Sequence, residues 1–403
     1  MRILFLSPRQ CWPSRSGAKL REYHFARALA QENELTYVHF TDPGSAPLTR
    51  EELPFCHQVV AIPKPPVYGP VNLAKGILTR WPVTILNYHS AEMMAAVRRL
   101  TADTVYDLVH FDIIHVMGYE SSIQRKPRAI VYNWHNIESE AMQRYSETVS
   151  SPLRRWYARQ TAAKLRRLEY QILDTARGHV VCSDREREQL HQVHRSASIA
   201  VVENGVDVPY FAGACDHSSP PNERTLVFVG SMDYFPNQEA CSFFTHRIWP
   251  QVRQTFPGLR LILVGANPPP SVLSLGTLEG VTVTGTVPDV RPYYRNALAA
   301  IVPLRTGSGT RLKILEAMAA GVPVVSSPLG AEGLAVTPDK DILIADPEDP
   351  AAWVKQITAL TTSPDRCRQL ASASLELVRA RYDWDILGQT LKDTYNTWLQ
   401  NPK

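Results

Sequence analysis

Residues 304–330 read LRTGSGTRLKILEAMAAGVPVVSSPLG, a strand end, a glycine loop, a helix and a strand. The loop Gly307-Ser308-Gly309-Thr310 holds two glycines that let the backbone close on a ligand, and it opens into a helix whose free amides and dipole favour an anion. The spacing predicts a phosphate cradle. On the helix Leu312, Leu315 and Ala319 share an apolar stripe, while Arg311, Lys313 and Glu316 are polar groups close behind the loop. Glu316 lies six residues past Thr310, about 9 Å at roughly 1.5 Å per residue, which is the span from a nucleotide's phosphates to its ribose. A cradle for diphosphate and a carboxylate for two ribose hydroxyls together make a nucleotide site. The plainer alternative is a pair of turn-shaping glycines and a solvated glutamate.

A second group lies upstream. The run AIVYNW at 129–134 reads as a strand that ends in His135-Asn136-Ile137-Glu138, with a helix to follow. In a doubly wound sheet ligands collect beyond the carboxyl ends of the strands, where the His135 imidazole can bond a substrate hydroxyl or act as base. His110 and His115 fall at the end of another strand, 108–112, and invite the same reading or a structural one. Asp383-Trp384-Asp385 has the form of a metal signature, but Asp383 stands where it can cap the amphipathic helix 386–399. No other ligand cluster lies near it, so no metal is expected.

The elements that would position these groups alternate. Strands at 2–7, 34–40, 58–62, 108–112, 129–134, 179–183 and 199–202 come with helices at 18–31, 91–101 and 184–193 and a basic helix near 153–167. The Pro-rich piece 63–70 reads as surface loop, and the long connection 8–17 reads as lining a site, with Gly17, Arg15 and Lys19 at the helix mouth. After the turn at 203–207 a second series begins, with strands at 225–230, 260–264, 281–285, 300–303 and 341–345, and helices near 238–255, 290–297, 350–360, 365–380 and 385–399. At 403 residues the chain fits two domains of about 200 residues each. The expected class is α/β, with two Rossmann-like doubly wound parallel-sheet domains facing across a cleft.

Composition narrows the partners. Six cysteines stand singly with no Cys-x-x-Cys pair, against a zinc site or disulfide framework and for a reducing compartment. No signal-peptide h-region opens the chain and no eighteen apolar residues run together, so a cytoplasmic, non-spanning protein is expected. The net charge of +4 hides an asymmetry: residues 1–203 hold 26 Lys and Arg against 20 Asp and Glu, the remainder 17 against 19. Much of the excess is Arg154, Arg155, Arg159, Lys164, Arg166 and Arg167 on one helix, beside Leu153, Trp156 and Tyr157. That helix is expected to touch anionic membrane through 153–167, peripherally on the inner face; a solvated helix is the alternative. No nucleic-acid motif accompanies the charge.

The segments NGVD at 204–207, FVGSMDYFPN at 228–237, GTVPDV at 285–290 and GSGTRLKILEAMAAGVPVVSS at 307–327 resemble the family 4 glycosyltransferases of the GT-B fold. Within that family the chain looks most like the sugar transferases associated with exosortase (PEP-CTERM) exopolysaccharide loci. The resemblance is strongest over 204–345; in 1–203 it rests on the opening strand, Gly17 and YNWHN. It implies a retaining, metal-independent hexosyltransferase that moves a sugar from a nucleotide-diphosphate donor to a lipid-linked or saccharide acceptor, without a cofactor. Residues 1–204 would bind acceptor and 205–382 donor, and the helix in 383–403 would pack back on the first domain. His135 would touch the donor sugar or the acceptor.

Family members carry two glutamates, of which the second corresponds to Glu316 and the first to Ser308, so the carboxylate usual for the donor sugar is replaced. The family's diphosphate-clamping Arg and Lys fall on Ser231 and Asn237, which leaves Arg311 and Lys313 as the substitutes. The catalytic set is then His135, Arg311 and Lys313. The donor set is Gly17, Gly230, Ser231, Gly265 and Val287, joined by Gly307, Ser308, Gly309, Thr310, Lys313 and Glu316. Two other functions fit the same chain: a nucleotide-sugar epimerase of this fold, and a non-catalytic membrane-surface scaffold for polysaccharide assembly. A dehydrogenase is disfavoured, because no Gly-x-Gly-x-x-Gly follows the first strand.

Overall fold

A computed structural model describes the chain apart from residues 15, 213–224, 296, 308–310 and 401–403. It divides into two compact units, Met1–Glu203 with Leu387–Lys403, and Asn204–Ile386.

The first unit is built on seven parallel strands, β1 (Arg2–Ser7), β2 (Glu34–Thr41), β3 (Gln58–Pro63), β4 (Leu108–Asp112), β5 (Ala129–Asn133), β6 (Gly178–Val181) and β7 (Ile199–Val201), in the order β3-β2-β1-β4-β5-β6-β7. Strands β1 and β4 read RILFLS and LVHFD and are buried almost throughout, as strands covered by helices on both faces must be. The order reverses between them, Phe5 pairing with Tyr37 on one side and His110 on the other. That reversal is the switch point of a doubly wound sheet, and Ser7 and Asp112 end the strands that flank it.

The second unit repeats the plan with β8 (Thr225–Val229), β9 (Arg260–Val264), β10 (Val281–Gly285), β11 (Ala297–Val302), β12 (Val324–Ser326) and β13 (Leu343–Ile344), ordered β10-β9-β8-β11-β12-β13. Its switch point lies between β8 and β11. Gly230 follows β8, and the glycine loop follows β11. The core beneath includes Phe228, Phe244, Ile314 and the fully enclosed Trp353.

The final helix, Trp384–Gln400, ends against the first unit. A Cβ on Gly178 would meet the Trp398 ring at 2.6 Å and one on Gly388 would meet Ala28 at 2.6 Å, so glycine at both places allows the contact. The Tyr395 hydroxyl lies 2.7 Å from Nδ1 of His110. Among the described residues no helix is long and apolar enough to cross a membrane.

Several elements depart from the sequence reading. The Pro-rich segment runs into a nine-residue helix, Pro70–Leu78, that its short mixed sequence does not announce. The long helix before β9 starts early, at Phe235, and widens over Phe244–Ile248, just ahead of Pro250, which lacks the amide that would close a regular turn. His110 sits in the middle of β4 rather than at its end.

Candidate functional site

In the second unit, Gly230 and Gly265 stand just past the ends of the neighbouring strands β8 and β9, packed backbone to backbone. A Cβ on Gly265 would fall 1.9 Å from the carbonyl oxygen of Gly230. Gly230 in turn leaves space for two side chains, since a Cβ there would lie 2.8 Å from Nδ2 of Asn237 and 2.9 Å from Nζ of Lys313. Lys313 comes from the Leu312–Ala319 helix, Asn237 from the Phe235–Phe243 helix, and they meet where the Lys313 ammonium donates to Asn237 Oδ1 at 2.7 Å. Asn237 Nδ2 donates to the Ser231 carbonyl at 2.6 Å, and the ammonium also lies over the Phe228 ring, 4.0 Å from its centroid. The Ser231 hydroxyl itself is exposed and donates to Asp233 Oδ1 at 2.5 Å.

Gly307 adopts φ +112°, a conformation open to glycine, and its backbone runs against Tyr234 and Pro236 at 3.3 and 3.2 Å from where a Cβ would sit. Ser308, Gly309 and Thr310 lie outside the described residues. Arg311 precedes the helix and is buried to 5% exposure, with the Glu332 carboxylate and the Tyr234 phenol near it. Among the described residues no side chain caps that helix start, where first-turn amides can meet an anion.

Burial sets the protonation here. It pushes the Lys313 ammonium down to about 7, with Arg311 adding to the effect, and the Glu316 carboxyl up to about 7 against the pull of Lys313. Glu316 lies one turn inward from Lys313 on the same helix and is half-buried. Val287 is half-buried against the core, two residues after Gly285, which turns the chain at φ +72°. The structure therefore brings Gly230, Gly265, Asn237, Lys313 and Gly307 together at one switch point, with Glu316 deeper on the helix. Asn237 enters as a direct partner of Lys313.

The first unit gathers a different set at its own switch point. His135 Nε2 lies 2.8 Å from Asp112 Oδ2, and Asn133 Nδ2 donates to Asp112 Oδ1 at 2.6 Å. Glu22 reaches in from the Gly17–Ala30 helix, paired with Arg9 at 2.9 Å and accepting from Ser7 Oγ at 2.8 Å. Arg21 donates to Asn133 Oδ1 at 2.8 Å and to the Val202 carbonyl at 2.7 Å. Burial, reinforced by Asp112, holds the Glu22 carboxyl well above the usual range. Burial also opposes ionisation of Asp112, but His135 and His110 hold that carboxyl well below its usual value. Burial lowers His135 despite Asp112.

Glu22, Asp112 and His135 offer ligand atoms within 4.8 Å of one another, and the Arg9 guanidinium supplies a positive charge at that point. His115 is stacked on Tyr88 and lowered to about 3 by burial. Gly17 begins its helix behind a Ser16 cap, Ser16 accepting from the Lys19 amide; Arg15 is outside the described residues. The sequence reading missed Arg9, Arg21, Glu22 and Asp112. Asp112 alone carried a signal, as a carboxylate closing a buried strand. Arg21 and Glu22 look like solvated helix charges until the sheet covers them.

The family description Glycosyltransferase Family 4 matches residues 15–209, and Glycosyl transferases group 1 matches 223–363. The D-inositol 3-phosphate glycosyltransferase of Segniliparus rotundus is 26% identical over 219 residues, 50% of this chain and 47% of that protein. A GDP-mannose-dependent alpha-(1-6)-phosphatidylinositol monomannoside mannosyltransferase of Mycobacterium tuberculosis is 31% identical over 157 residues, 36% of this chain and 41% of that one. The chain thus spans about half the length of the curated relatives it matches. Among solved structures, a sucrose-phosphate synthase from Thermosynechococcus elongatus matches at TM-score 0.71 with 20% identity, covering 99% of both chains. An Anabaena HepE structure in complex with UDP and glucose matches at TM-score 0.66 with 16% identity, covering 98% of this chain and 100% of that one. These likenesses give the fold, the two parallel-sheet α/β units of the GT-B class.

Proposed function

We infer that this chain, which belongs to glycosyltransferase family 4, moves a hexose from a nucleoside-diphosphate donor to a lipid-linked or saccharide acceptor. The observation that carries this reading is the Lys313 ammonium, held at 2.7 Å by Asn237 in the gap that Gly230 leaves at the switch point of the second sheet. A half-buried lysine whose hydrogen-bond partner is a neutral amide is poised for an anion. Diphosphate would lie across Lys313 and the first-turn amides, with Glu316 accepting from the ribose hydroxyls. Charge develops on the departing diphosphate in the transition state, and a fixed ammonium there lowers the barrier. Arg311 adds positive potential, and the first unit, with His135 at its switch point, takes the acceptor.

The names of the relatives favour GDP-mannose or UDP-glucose as donor and a glycolipid of inositol type as acceptor. Retention of configuration, independence of metal and a place in exopolysaccharide assembly belong to the same proposal. So does contact with anionic membrane through 153–167.

Two expected results test the donor site. Glu316→Gln weakens UDP or GDP binding by roughly tenfold to a hundredfold, the worth of hydrogen bonds to a charged carboxylate, while inorganic diphosphate binds as before. Isothermal titration with both ligands checks this; equal losses for both would remove Glu316 from the ribose. The second result is a pH profile. Diphosphate keeps Lys313 protonated, whereas in the empty site its proton leaves as pH rises through about 7. Affinity therefore falls above that pH, by up to about tenfold per unit, because binding must recover the proton. Lys313→Arg, charged throughout, flattens the alkaline limb; a limb that persists in that variant places the titrating group elsewhere.

A further inference from the structure

Eight of the exposed large apolar side chains fall on two neighbouring helices of the first unit and the approach to one of them. Val67, Tyr68, Val71, Leu73, Ile77 and Leu78 occupy the Pro70–Leu78 helix and its approach, and Leu153 and Trp156 open the neighbouring Pro152–Thr175 helix. Leu78 is 83% exposed and Leu153 74%.

The two helices are tied together. Lys164 Nζ donates to the carbonyls of Gly76, Ile77 and Thr79 at 2.7, 2.9 and 2.7 Å, closing the end of the shorter helix, so this cation is spent inside the protein. At Gly76 the helices touch, since a Cβ there would lie 3.0 Å from the Tyr157 hydroxyl. A helix of nine residues does not hold itself in water, and this one is anchored while its apolar side faces outward.

Charge identifies what covers it. Residues 53–91 contain Lys64, Lys75 and Arg80 and no Asp or Glu, and residues 149–168 contain six Lys and Arg and again no acid. Lys75, Arg80, Arg154, Arg155 and Arg159 are exposed around the apolar residues. A second copy of this face would set like charges against each other. Anionic lipid satisfies both halves of the surface, acyl chains for the leucines and headgroups for the cations.

We propose that the Pro70–Leu78 helix inserts its apolar side into an anionic bilayer, with Lys75, Arg80, Arg154 and Arg155 on the headgroups. The purpose of such docking, collecting a lipid-linked acceptor, rests on the transferase reading above. The contact itself rests on these residues. It moves the apolar anchor from the basic helix to its neighbour.

The test is co-sedimentation of the full chain with vesicles of phosphatidylglycerol and phosphatidylcholine. Ile77→Glu with Leu78→Glu is expected to lower partition at least about tenfold, as each buried aliphatic side chain contributes roughly that factor. Arg154→Glu and Arg155→Glu lower it by roughly fivefold each, and added salt weakens the wild type toward them. Both apolar positions face solvent, so the variants keep the wild-type melting temperature. Wild-type protein that ignores these vesicles, or a double glutamate variant that sediments like the wild type, overturns the proposal. A wild-type dimer that the same variant dissociates overturns it too, making the surface a self-association face. A thermal-shift titration with UDP- and GDP-hexoses on the same samples reports separately on the donor reading, because its residues belong to the other unit.

Discussion

Lys313→Ala is expected to lower kcat/KM for sugar transfer by about two to three orders of magnitude, the usual cost of losing one preorganised charge or donor at a developing oxyanion. The apo protein should not suffer with it. Burial already holds the Lys313 ammonium down to about 7, so removing a poorly solvated cation relieves the empty fold while taking away its diphosphate partner. Melting temperature without ligand is then unchanged or raised, and the stabilisation given by UDP or GDP disappears.

The geometry supplies a stricter version. The ammonium sits 2.7 Å from Asn237 Oδ1, on a helix that approaches the same point from the other strand of the switch. Moving the cation across, as Asn237→Lys with Lys313→Asn, should recover at least about tenfold over Lys313→Asn alone. The two residues are in contact, so their effects couple strongly. Asn237→Lys by itself crowds two ammonium groups and should impair donor binding. Steady-state kinetics with a radiolabelled donor decide the matter. Retention of wild-type kcat/KM within threefold in Lys313→Ala, or no recovery in the exchange, would withdraw the lysine from catalysis.

Much of this arrangement is legible in the sequence. Largely apolar strands such as TLVFV and LVHFD, punctuated by glycine and alternating with helices, point to two parallel sheets because such sheets are covered on both faces. The glycine loop and Lys313 were legible for a local reason as well, since a helix start and its first turn are contiguous in sequence. What stayed hidden depends on pieces brought together by the fold. Arg9, Glu22 and Asp112 come from three separate segments, and an exposure of 0% for both Arg21 and Glu22 is a property of the covering sheet rather than of their helix. The Pro70–Leu78 helix was obscured because its outward face is apolar, the reverse of what amphipathic patterning leads one to expect. Gly265 illustrates the same limit. The resemblance places it among donor-site residues, while its close approach to Gly230 gives it a steric duty.

That duty makes Gly265→Ala the substitution with the largest expected effect on stability. The Cβ would be driven to 1.9 Å from the Gly230 carbonyl oxygen, and a backbone atom, unlike a side chain end, has no rotamer into which it can retreat. The Gly230 amide donates to the Val264 carbonyl at 3.0 Å and the Met232 amide to the Ala266 carbonyl at 2.8 Å, so the two chain segments are pinned on either side of the clash. Relief requires β8 and β9 to part at their ends, breaking those bonds and disturbing Met232, which is fully buried beneath them. Overpacking commonly costs about 1–3 kcal/mol, and a clash against pinned backbone belongs at or above the top of that range. For a unit of this size, each kcal/mol is worth roughly 2–4 °C in Tm, so a fall of about 6–12 °C is expected in calorimetry. Nucleotide affinity should fall as well, since Gly230 is displaced toward Lys313 and Asn237, whereas Gly258→Ala, with open space where its Cβ would go, should leave both unchanged. A Gly265→Ala protein that melts within about 2 °C of wild type would mean that the strand ends are separable, and that the close approach of Gly230 and Gly265 does not hold the diphosphate site in shape.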